Sequence, residues 1–328
     1  MSKQSFADLG VSKSVARALA AGGIDSPFAV QETVIPDVLA GRDVLVKAPT
    51  GSGKTLAFGV PLVERIEASD ARAAALVLVP TRELASQVAE AVNDVARARA
   101  LSVAAVYGGV GIERQSKLAR RAHIVVATPG RLEDLMARGA VRLDRVRVLV
   151  LDEADRMLDM GFRPPVERIV SRVPAERQTL FLSATLDGET GRLARQYTRD
   201  PRRHEQEAAR QDRGKVEHRF LAVAREDKLD SLVDTLRDDR GARSLVFVRT
   251  KRGADRLVKR LRARGVEAAA MHGDKSQSQR EKALSRFDAG RVDALVATDV
   301  AARGIDVDGI THVINFEYTL SLHDALPI

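Results

Sequence analysis

The chain has 328 residues, of which 45% are hydrophobic, and this length and composition suit two globular domains. It contains no cysteine, which excludes a disulfide framework and metal sites built from thiolates. Its net charge of +8 favours a polyanionic partner such as nucleic acid, while a solvated arginine-rich surface would give the same total.

The N-terminal residues Met1–Phe6 contain no apolar segment of the kind that a secretory signal requires. No apolar run in the chain is long enough to cross a bilayer, so we expect no membrane partner. Together with the absence of cysteine, these features favour a cytoplasmic location. The six histidines lack the spacing of metal ligands, so we do not expect a metal site built by the protein alone.

Short apolar runs alternate with amphipathic stretches of helical length, such as Glu83–Arg97 and Glu113–Arg121. Because this alternation is typical of strands buried between layers of helices, we predict an α/β fold with parallel sheets. The predicted strands of the first half are Val44–Val46, Ala75–Val79, Val103–Val106, Ile124–Ala127, Val148–Leu151 and Leu180–Leu182. Those of the second half are Leu245–Val248, Ala268–Met271, Ala294–Ala297 and His312–Phe316.

The stretch from residue 198 to residue 215 interrupts this alternation and contains almost no large apolar residue. Such a composition is typical of a linker between domains. We therefore predict a first lobe at residues 1–200, a polar linker at residues 201–214 and a second lobe at residues 215–317.

A glycine-rich segment, Ala48–Thr55, lies between a predicted strand and a predicted helix. Its glycines let successive backbone N–H groups point at phosphate oxygens, and the new helix adds its positive N-terminal end. We expect Lys54 to reach the outer phosphates and the Thr55 hydroxyl to ligate Mg²⁺. A plain turn is the alternative, since the generic pattern begins with glycine where this chain has Ala48. The predicted nucleotide-binding residues of the loop are Thr50, Gly51, Ser52, Gly53, Lys54 and Thr55.

Two acids, Asp152 and Glu153, directly follow the predicted strand Val148–Leu151. A buried parallel strand that ends in acids, downstream of a phosphate loop, is typical of the second half of a nucleotidase site. We expect Asp152 to hold the Mg²⁺ that bridges the phosphates and Glu153 to polarise the attacking water. Acids that merely cap a strand end are the alternative interpretation.

The pairing of Gly51-Ser52-Gly53-Lys54-Thr55 with Asp152-Glu153-Ala154-Asp155 resembles the DEAD-box family of ATP-dependent RNA helicases, in superfamily 2. The resemblance extends from residue 6 to about residue 316. It implies two RecA-like lobes, each a parallel sheet flanked by helices. It also implies ATP and Mg²⁺ as cofactors, RNA as the partner, and RNA-stimulated ATP hydrolysis coupled to local unwinding of RNA duplexes.

The resemblance assigns further residues to the nucleotide. It implies that Phe6 stacks on the base, that Gln31 reads the adenine edge, and that Arg303 and Asp306 contact the nucleotide from the second lobe. It implies that the hydroxyls of Ser183-Ala184-Thr185 bond the Asp-Glu-Ala-Asp acids and couple ATP to lobe closure. The implied catalytic residues are Lys54, Asp152, Glu153, Ser183 and Thr185.

RNA binding is likewise implied by the resemblance. The implied contacts in the first lobe are Pro80, Thr81, Arg82, Gly109, Thr128, Pro129, Gly130 and Arg131. Those in the second lobe are Thr250, Gly273, Gln277, Arg280 and Thr298. These groups suit phosphates and 2′-hydroxyls, so little sequence preference is expected. Taken alone, the first-lobe segments would be read as turns and helix caps.

The chain departs from the family after Glu317, where the family carries a His-Arg-Ile-Gly-Arg-Thr-Gly-Arg segment. Residues 318–328 contain no arginine and look foreign to a helicase, so we expect a non-native tail and an incomplete second lobe, with a divergent natural terminus as the alternative. Loss of the family's arginine finger is expected to impair hydrolysis. A non-hydrolysing, ATP-dependent RNA clamp and a P-loop ATPase acting on DNA are the alternative functions.

Overall fold

A computed structural model describes residues 4–49, 51–206, 217–224, 226–238, 243–302, 307 and 309–317. The chain forms two compact units, Met1–Gly214 and Lys215–Ile328. Each unit contains a parallel sheet flanked by helices, which confirms the predicted α/β fold. In the part of the chain that the structure describes, no helix has both the length and the apolar character needed to span a bilayer.

The elements of the first unit follow the predicted alternation. Its strands are β1 (Val44–Lys47), β2 (Ala75–Leu78), β3 (Val103–Val106), β4 (Ile124–Ala127), β5 (Val148–Leu151), β6 (Gln178–Ser183) and β7 (Arg202–Glu205). Its helices are α1 (Lys13–Ala21), α2 (Ala29–Leu39), α3 (Lys54–Arg65), α4 (Arg82–Ala96), α5 (Ile112–Ala119), α6 (Pro129–Ala137), α7 (Ala154–Asp159), α8 (Arg163–Val170) and α9 (Gly188–Tyr197), with a 3₁₀ turn at Arg97–Arg99.

The first sheet is parallel throughout, in the order β3-β4-β2-β5-β6-β1-β7. Successive side chains of a strand point to opposite faces, so each strand feeds two cores. In β1, Val46 packs into a core that contains Phe58, and Leu45 packs into one that contains Phe181. The central strands are buried on both faces, which is why they read as continuous apolar runs in the sequence.

The predicted linker from residue 201 is wrong for residues 202–205, which form the edge strand β7. This strand runs parallel to β1, where the Arg202 N–H donates to the Asp43 carbonyl at 2.8 Å and the Gln206 N–H donates to the Lys47 carbonyl at 2.8 Å. An edge strand with mostly exposed side chains can be built from charged residues, because the backbone supplies the pairing. No apolar pattern therefore marks β7. The other predicted domain boundaries stay predictions.

Asp43 ties the start of β1 to two neighbouring segments. Its buried carboxylate accepts the Thr179 N–H and the Arg199 N–H, each at 2.7 Å. One side chain thus holds β6 and the end of α9 in register with β1. Removing an acceptor from two inward-facing N–H groups leaves both unsatisfied.

We expect Asp43→Ala to lower the free energy of unfolding by about 3 kcal/mol, because hydrogen bonds to a charged acceptor contribute more than neutral ones. Asp43→Asn keeps one acceptor oxygen and should lose less. Urea denaturation checks both, with Asp94→Ala on the exposed face of α4 as the matched control. Equal stability of Asp43→Ala and the control would contradict this role.

The second unit also contains a parallel sheet flanked by helices, with four strands instead of seven among the described residues. Its strands are β8 (Arg243–Phe247), β9 (Ala268–Met271), β10 (Ala294–Ala297) and β11 (Ile310–Asn315), and its helices are α10 (Lys228–Asp238), α11 (Lys251–Ala263), α12 (Gln277–Asp288) and α13 (Asp299–Ala302). The sheet is parallel, in the order β11-β8-β10-β9. Helices α10 and α11 share one core with Val246, whereas α12 packs into the opposite core with Leu245.

Candidate active site

Most predicted site segments follow the carboxyl ends of the strands, where open α/β sheets bind ligands. In the first sheet, β5, β6 and β1 are neighbours, and they are followed by the two acids, the Ser183–Thr185 segment and the glycine-rich loop. Strands β3, β4 and β2 form the other half, and they are followed by the segments implied in RNA binding. The strand order therefore separates the two groups of predicted residues along one edge.

The glycine-rich loop leads from β1 into α3. Gly51 and Gly53 have φ angles of +78° and +87°, a region that side chains disfavour, so glycine is required at both. The Ser52 hydroxyl donates to the Pro49 carbonyl at 2.8 Å, and the buried Lys54 ammonium donates to the Ala48 carbonyl at 2.8 Å. The loop thus folds back on itself around the lysine. Thr50 lies outside the described residues, and Thr55 is half-buried in the first turn of α3.

Gln31 joins α2 to this loop. Its side-chain oxygen accepts the Phe28 N–H at 2.9 Å, and its side-chain NH₂ donates to the Gly53 carbonyl at 3.0 Å. A Cβ on Gly53 would lie 2.8 Å from that nitrogen and 2.5 Å from Phe28 Cδ2, so the approach also needs glycine. Gln31 is buried and contacts backbone on both sides. The structure shows this structural role of Gln31, and its recognition of adenine stays a prediction.

The aromatic residue beside the loop differs from the one predicted. Phe6 is only 3% exposed and packs in the hydrophobic core, so the prediction that its ring stacks on a base does not fit its burial. Phe28, in contrast, is 60% exposed and its ring lies against Gly53. Phe28 was not predicted as a site residue, although an apolar residue directly before a helix and three residues before Gln31 is a usable signal.

Asp152 and Glu153 lie where β5 ends and α7 begins. Asp152 is 3% exposed, and one of its carboxylate oxygens accepts the Glu153 N–H at 3.0 Å. Glu153 has a φ of +50°, a left-handed conformation that is uncommon for a residue other than glycine. Its Oε2 is buried and accepts no hydrogen bond within the described residues, although the Arg156 guanidinium lies 3.1 Å away. A left-handed backbone and a buried carboxylate whose close partner is Arg156 make this position a candidate functional site.

Both acids have unusual proton affinities. Burial raises the pKa of Asp152 to about 6, and the Lys54 ammonium opposes that shift. Burial also raises the pKa of Glu153, which Arg156 and Lys54 oppose. The charge interaction places Lys54 near both acids, as a phosphate site next to a cation site requires.

The Ser183–Thr185 segment contacts the end of the acidic motif. The Thr185 N–H donates to Asp155 Oδ2 at 3.2 Å, and its hydroxyl lies 3.4 Å from the same oxygen. Ser183 ends β6 and is fully buried, and its carbonyl accepts the Ala48 N–H at 3.1 Å. This segment therefore touches both the acidic motif and the glycine-rich loop.

The donor set suits a nucleotide with Mg²⁺. Hard oxygen ligands, which Mg²⁺ prefers, are available from Asp152 and the Thr55 hydroxyl, and Lys54 supplies a positive charge for phosphates. A Cβ on Gly51 would meet nothing within 4 Å, so the loop is open on that side. Among the described residues, no group of three or more histidines and acids could hold a metal alone. A cation held by Asp152 and Thr55 would complete its shell with water or phosphate oxygens.

The other half of the edge brings two predicted segments together. The Arg82 guanidinium packs against Gly108 and Gly109, and a Cβ on Gly109 would clash with it. Gly109 also has a φ of +88°. Thr81 caps α4, and its hydroxyl oxygen accepts the Leu84 N–H at 3.2 Å. Arg82 was predicted to contact RNA, and here it positions the glycine turn after β3.

The segment after β4 is anchored to the same turn. The Arg131 guanidinium donates to the Val110 carbonyl at 3.1 Å and to the Gln115 side chain at 2.9 Å. Thr128 precedes α6, and Pro129 occupies its first turn, where a proline is well tolerated. Gly130 is exposed. The cap and turn interpretation holds for these segments, and their RNA contacts stay a prediction.

In the second unit, Thr250, Gly273 and Thr298 follow β8, β9 and β10 at the carboxyl edge. Gln277 and Arg280 are only 2% and 7% exposed, so their side chains lie inside the unit rather than on its surface. Arg280 reaches the Ala301 carbonyl at 3.5 Å and thereby connects α12 to α13. Arg303 and Asp306 lie outside the described residues, as does the predicted tail at residues 318–328.

Comparison with known proteins agrees with this layout. A profile of the DEAD/DEAH box helicase family matches residues 28–193, and one of the helicase conserved C-terminal domain matches residues 227–326. The chain is 42% identical over 313 residues to the DEAD-box ATP-dependent RNA helicase CshA of Geobacillus kaustophilus, covering 95% of this chain and 67% of that protein. The chain belongs to the DEAD/DEAH box helicase family.

Solved structures show the same two-sheet architecture. A DEAD box protein from Methanococcus jannaschii has a TM-score of 0.60 at 37% identity, covering 96% of this chain and 85% of that one. Dbp5 of S. cerevisiae, solved with RNA and ADP BeF3, has a TM-score of 0.81 at 27% identity, covering 97% and 82%. The chain spans 60% to 67% of the length of the first curated relatives that it matches.

The raised pKa of Asp152 predicts a pH-dependent cost in stability. A folded-state pKa of about 6 against the ordinary 3.8 means that burying the ionised carboxylate opposes folding. This cost is fully present above pH 6 and disappears as the pH falls to about 3.8. We expect Asp152→Asn to raise the free energy of unfolding by on the order of 3 kcal/mol at pH 8. Thermal and urea unfolding without nucleotide or divalent cation measure it.

The matched control is Asp159→Asn on the exposed side of α7, which should leave stability unchanged. The gain of Asp152→Asn should shrink steadily between pH 6 and pH 4. A gain that does not vary with pH, or a loss of stability at pH 8, would contradict the assignment.

Proposed function

We propose that the chain is an ATP-dependent RNA helicase whose ATP hydrolysis is stimulated by RNA and drives local unwinding of RNA duplexes. The observation that carries this proposal is the strand order of the first sheet. It collects the phosphate loop, the two acids and the Ser183–Thr185 segment on β1, β5 and β6, beside the segments after β2, β4 and β3. Nucleotide and RNA can therefore occupy adjacent parts of one edge.

For the nucleotide, we propose that the loop N–H groups and the α3 N-terminus hold the phosphates, with the Lys54 ammonium on the outer ones. Lys54 would exchange its bond to the Ala48 carbonyl for a phosphate oxygen. Asp152 and Thr55 would hold Mg²⁺, which supplies charge neutralisation between the phosphates. Asp152 must be ionised for this, and its raised pKa still leaves it charged at neutral pH.

Glu153 is the proposed general base. Its buried Oε2 lies beside the Arg156 guanidinium, and its remaining lone pair can accept a hydrogen bond from a water aligned with the terminal phosphate. Burial raises its pKa, which makes the carboxylate a stronger base. Arg156, 3.1 Å from that oxygen, keeps the side chain oriented and ionised.

For RNA, we propose contacts from the segments after β2, β3 and β4 and from Thr250, Gly273 and Thr298 of the second unit. Exposed backbone such as that of Gly109 and Gly130 suits phosphates and 2′-hydroxyls, which implies little sequence preference. Arg82 and Arg131 support this surface by fixing the glycine turn. Gln277 and Arg280 support it from inside the second unit.

The coupling between the two ligands is proposed to pass through Thr185. Its contacts with Asp155 connect the end of β6 to the helix that carries the acids. A change of nucleotide state at Asp152 and Glu153 can therefore alter the position of Thr185. We also propose a cytoplasmic location, which rests on the sequence features alone.

A second candidate is a non-hydrolysing, ATP-dependent RNA clamp. It would use the same loop, acids and RNA-binding segments, so measured hydrolysis separates it from the helicase. The Arg156 guanidinium, 3.1 Å from Glu153 Oε2, favours this candidate because it competes with a water for that oxygen. Competition between RNA and DNA of the same sequence tests the further alternative of a DNA-directed ATPase.

The decisive experiment is single-turnover hydrolysis of labelled ATP by excess protein, with and without single-stranded RNA. We expect hydrolysis that RNA accelerates and that Lys54→Ala abolishes. The rate of hydrolysis should be about 10²–10⁴ times lower in Glu153→Gln, because the general base is lost. ATP-dependent RNA binding should persist, because the binding groups remain.

The outcomes separate the candidates. ATP-dependent RNA binding without hydrolysis above the Lys54→Ala background would support the clamp. Hydrolysis that single-stranded RNA leaves unchanged would contradict the helicase proposal.

A further inference from the structure

A groove of about 320 Å³ runs along the edge strand β9 in the second unit. Helices α11 and α12 pack on opposite faces of the sheet beside this strand, and their outer sides form the two walls. The charged side chains of the groove are Lys259, Arg262, Lys275, Lys282, Arg286 and Asp255. Five cations thus face one carboxylate.

Three of these five cations have no carboxylate partner within the described residues. Lys275 pairs with Asp255 at 2.7 Å, and Arg286 lies 3.5 Å from Glu267. Arg262 donates to the Ala268 carbonyl of β9 at 2.8 Å, which leaves its charge without a carboxylate partner. Within the described ranges, Lys259 and Lys282 take part in neither an ion pair nor a hydrogen bond. The groove therefore carries a net positive charge that suits a polyanion.

The groove is continuous with the proposed RNA edge. Lys275 lies two residues after Gly273, at the carboxyl end of β9, whereas Arg262 and Arg286 lie near the ends of their helices. A strand of four residues is about 13 Å long, so the cations follow a track of at least that length away from the edge. RNA that leaves the edge at Gly273 can enter the groove directly.

Nucleic acid fits this groove better than an acidic peptide does. Its apolar lining consists of Val258 and small residues, Ala269, Ala270 and Ala283, and these residues offer no pocket for a large side chain. Peptide docking depends on such anchors, whereas binding to a phosphate backbone depends on charge. The alternative is that the cations only prevent the edge strand β9 from pairing with another chain.

We propose that this groove binds the sugar–phosphate backbone of RNA that extends beyond the stretch held at the carboxyl edge. Lys259 and Lys282 each contact a phosphate, and Arg262, Lys275 and Arg286 supply the surrounding field. The proposal rests on the proposed RNA helicase function and extends its RNA site. The groove lengthens the RNA footprint without adding sequence preference.

The test compares wild type with Lys259→Gln/Lys282→Gln and with the control Arg256→Gln/Arg260→Gln. The control removes two arginines that are exposed on the same α11 but do not line the groove. Fluorescence anisotropy measures affinity for single-stranded RNA of about 6 and about 20 nucleotides, near the lower end of and above the usual site sizes of single-strand binders. Each affinity is measured from 50 mM to 200 mM salt, and thermal unfolding verifies that both variants fold.

For long RNA, the logarithm of the association constant falls linearly with the logarithm of the salt concentration. We expect this slope to be about 1.4 less steep in the groove variant, since each phosphate contact on a single strand contributes about 0.7. The wild-type affinity for long RNA should therefore fall about sevenfold more than that of the variant across this salt range. The ratio of the affinity for long RNA to the affinity for short RNA should be smaller in the groove variant than in wild type, and unchanged in the control.

Three results would overturn the proposal. If wild type binds both RNAs and the salt slope of the groove variant is unchanged, the cations serve only to prevent β9 from pairing with another chain. Competition by polyglutamate as strong as that by long RNA, lost in the groove variant, would assign the groove to acidic peptides. Wild type that fails to bind even short RNA would contradict the proposed function itself, and with it this extension.

Discussion

Parallel strands of the first sheet all end at one edge, and the chemistry of the chain depends on which strands are neighbours there. Because consecutive strands need not be adjacent, residues far apart in sequence meet at this edge: the glycine-rich loop after β1, the acids after β5 and the Ser183–Thr185 segment after β6. The other half collects the segments after β2, β3 and β4. The strand order therefore places the two proposed ligand sites next to each other.

The residues of the proposed nucleotide site lower the stability of the fold. Asp152 is buried with its pKa raised to about 6, Glu153 adopts a left-handed backbone, and Gly53 leaves no room for a Cβ beside Phe28. Each feature opposes folding or restricts the sequence, and each suits a phosphate, a cation or a water molecule. Strain and buried charge persist because the surrounding strands and the Gln31 bridge hold the site in place.

The sequence was sufficient for the elements that are buried on both sides. Strands such as β4 and β5 are continuous apolar runs, and their predicted bounds agree with the structure. Strand β7 could not be found in this way, since an edge strand with exposed charges owes its pairing to the backbone of β1. Its register became visible only once the neighbouring strand was in place.

The site residues divide along similar lines. Local motifs predicted that Lys54, Asp152 and Glu153 follow strand ends, and the structure places them there, while their chemical roles stay a proposal. The spacing of the motifs in the sequence does not show which of these side chains are buried or which residues they contact. Phe6 lies in the core while Phe28 lies beside the loop, Gln277 and Arg280 lie inside the second unit, and the guanidinium of Arg82 packs on a glycine turn.

The central claim is that nucleotide and RNA occupy neighbouring, coupled sites. The most direct test is the affinity for single-stranded RNA with and without a non-hydrolysable ATP analogue, in wild type, Thr185→Val and the control Thr235→Val, which removes a hydroxyl from α10. We predict that the analogue tightens RNA binding by about 5–150-fold in wild type and the control, and by less in Thr185→Val. RNA affinity that is the same with and without the analogue in wild type would contradict the account.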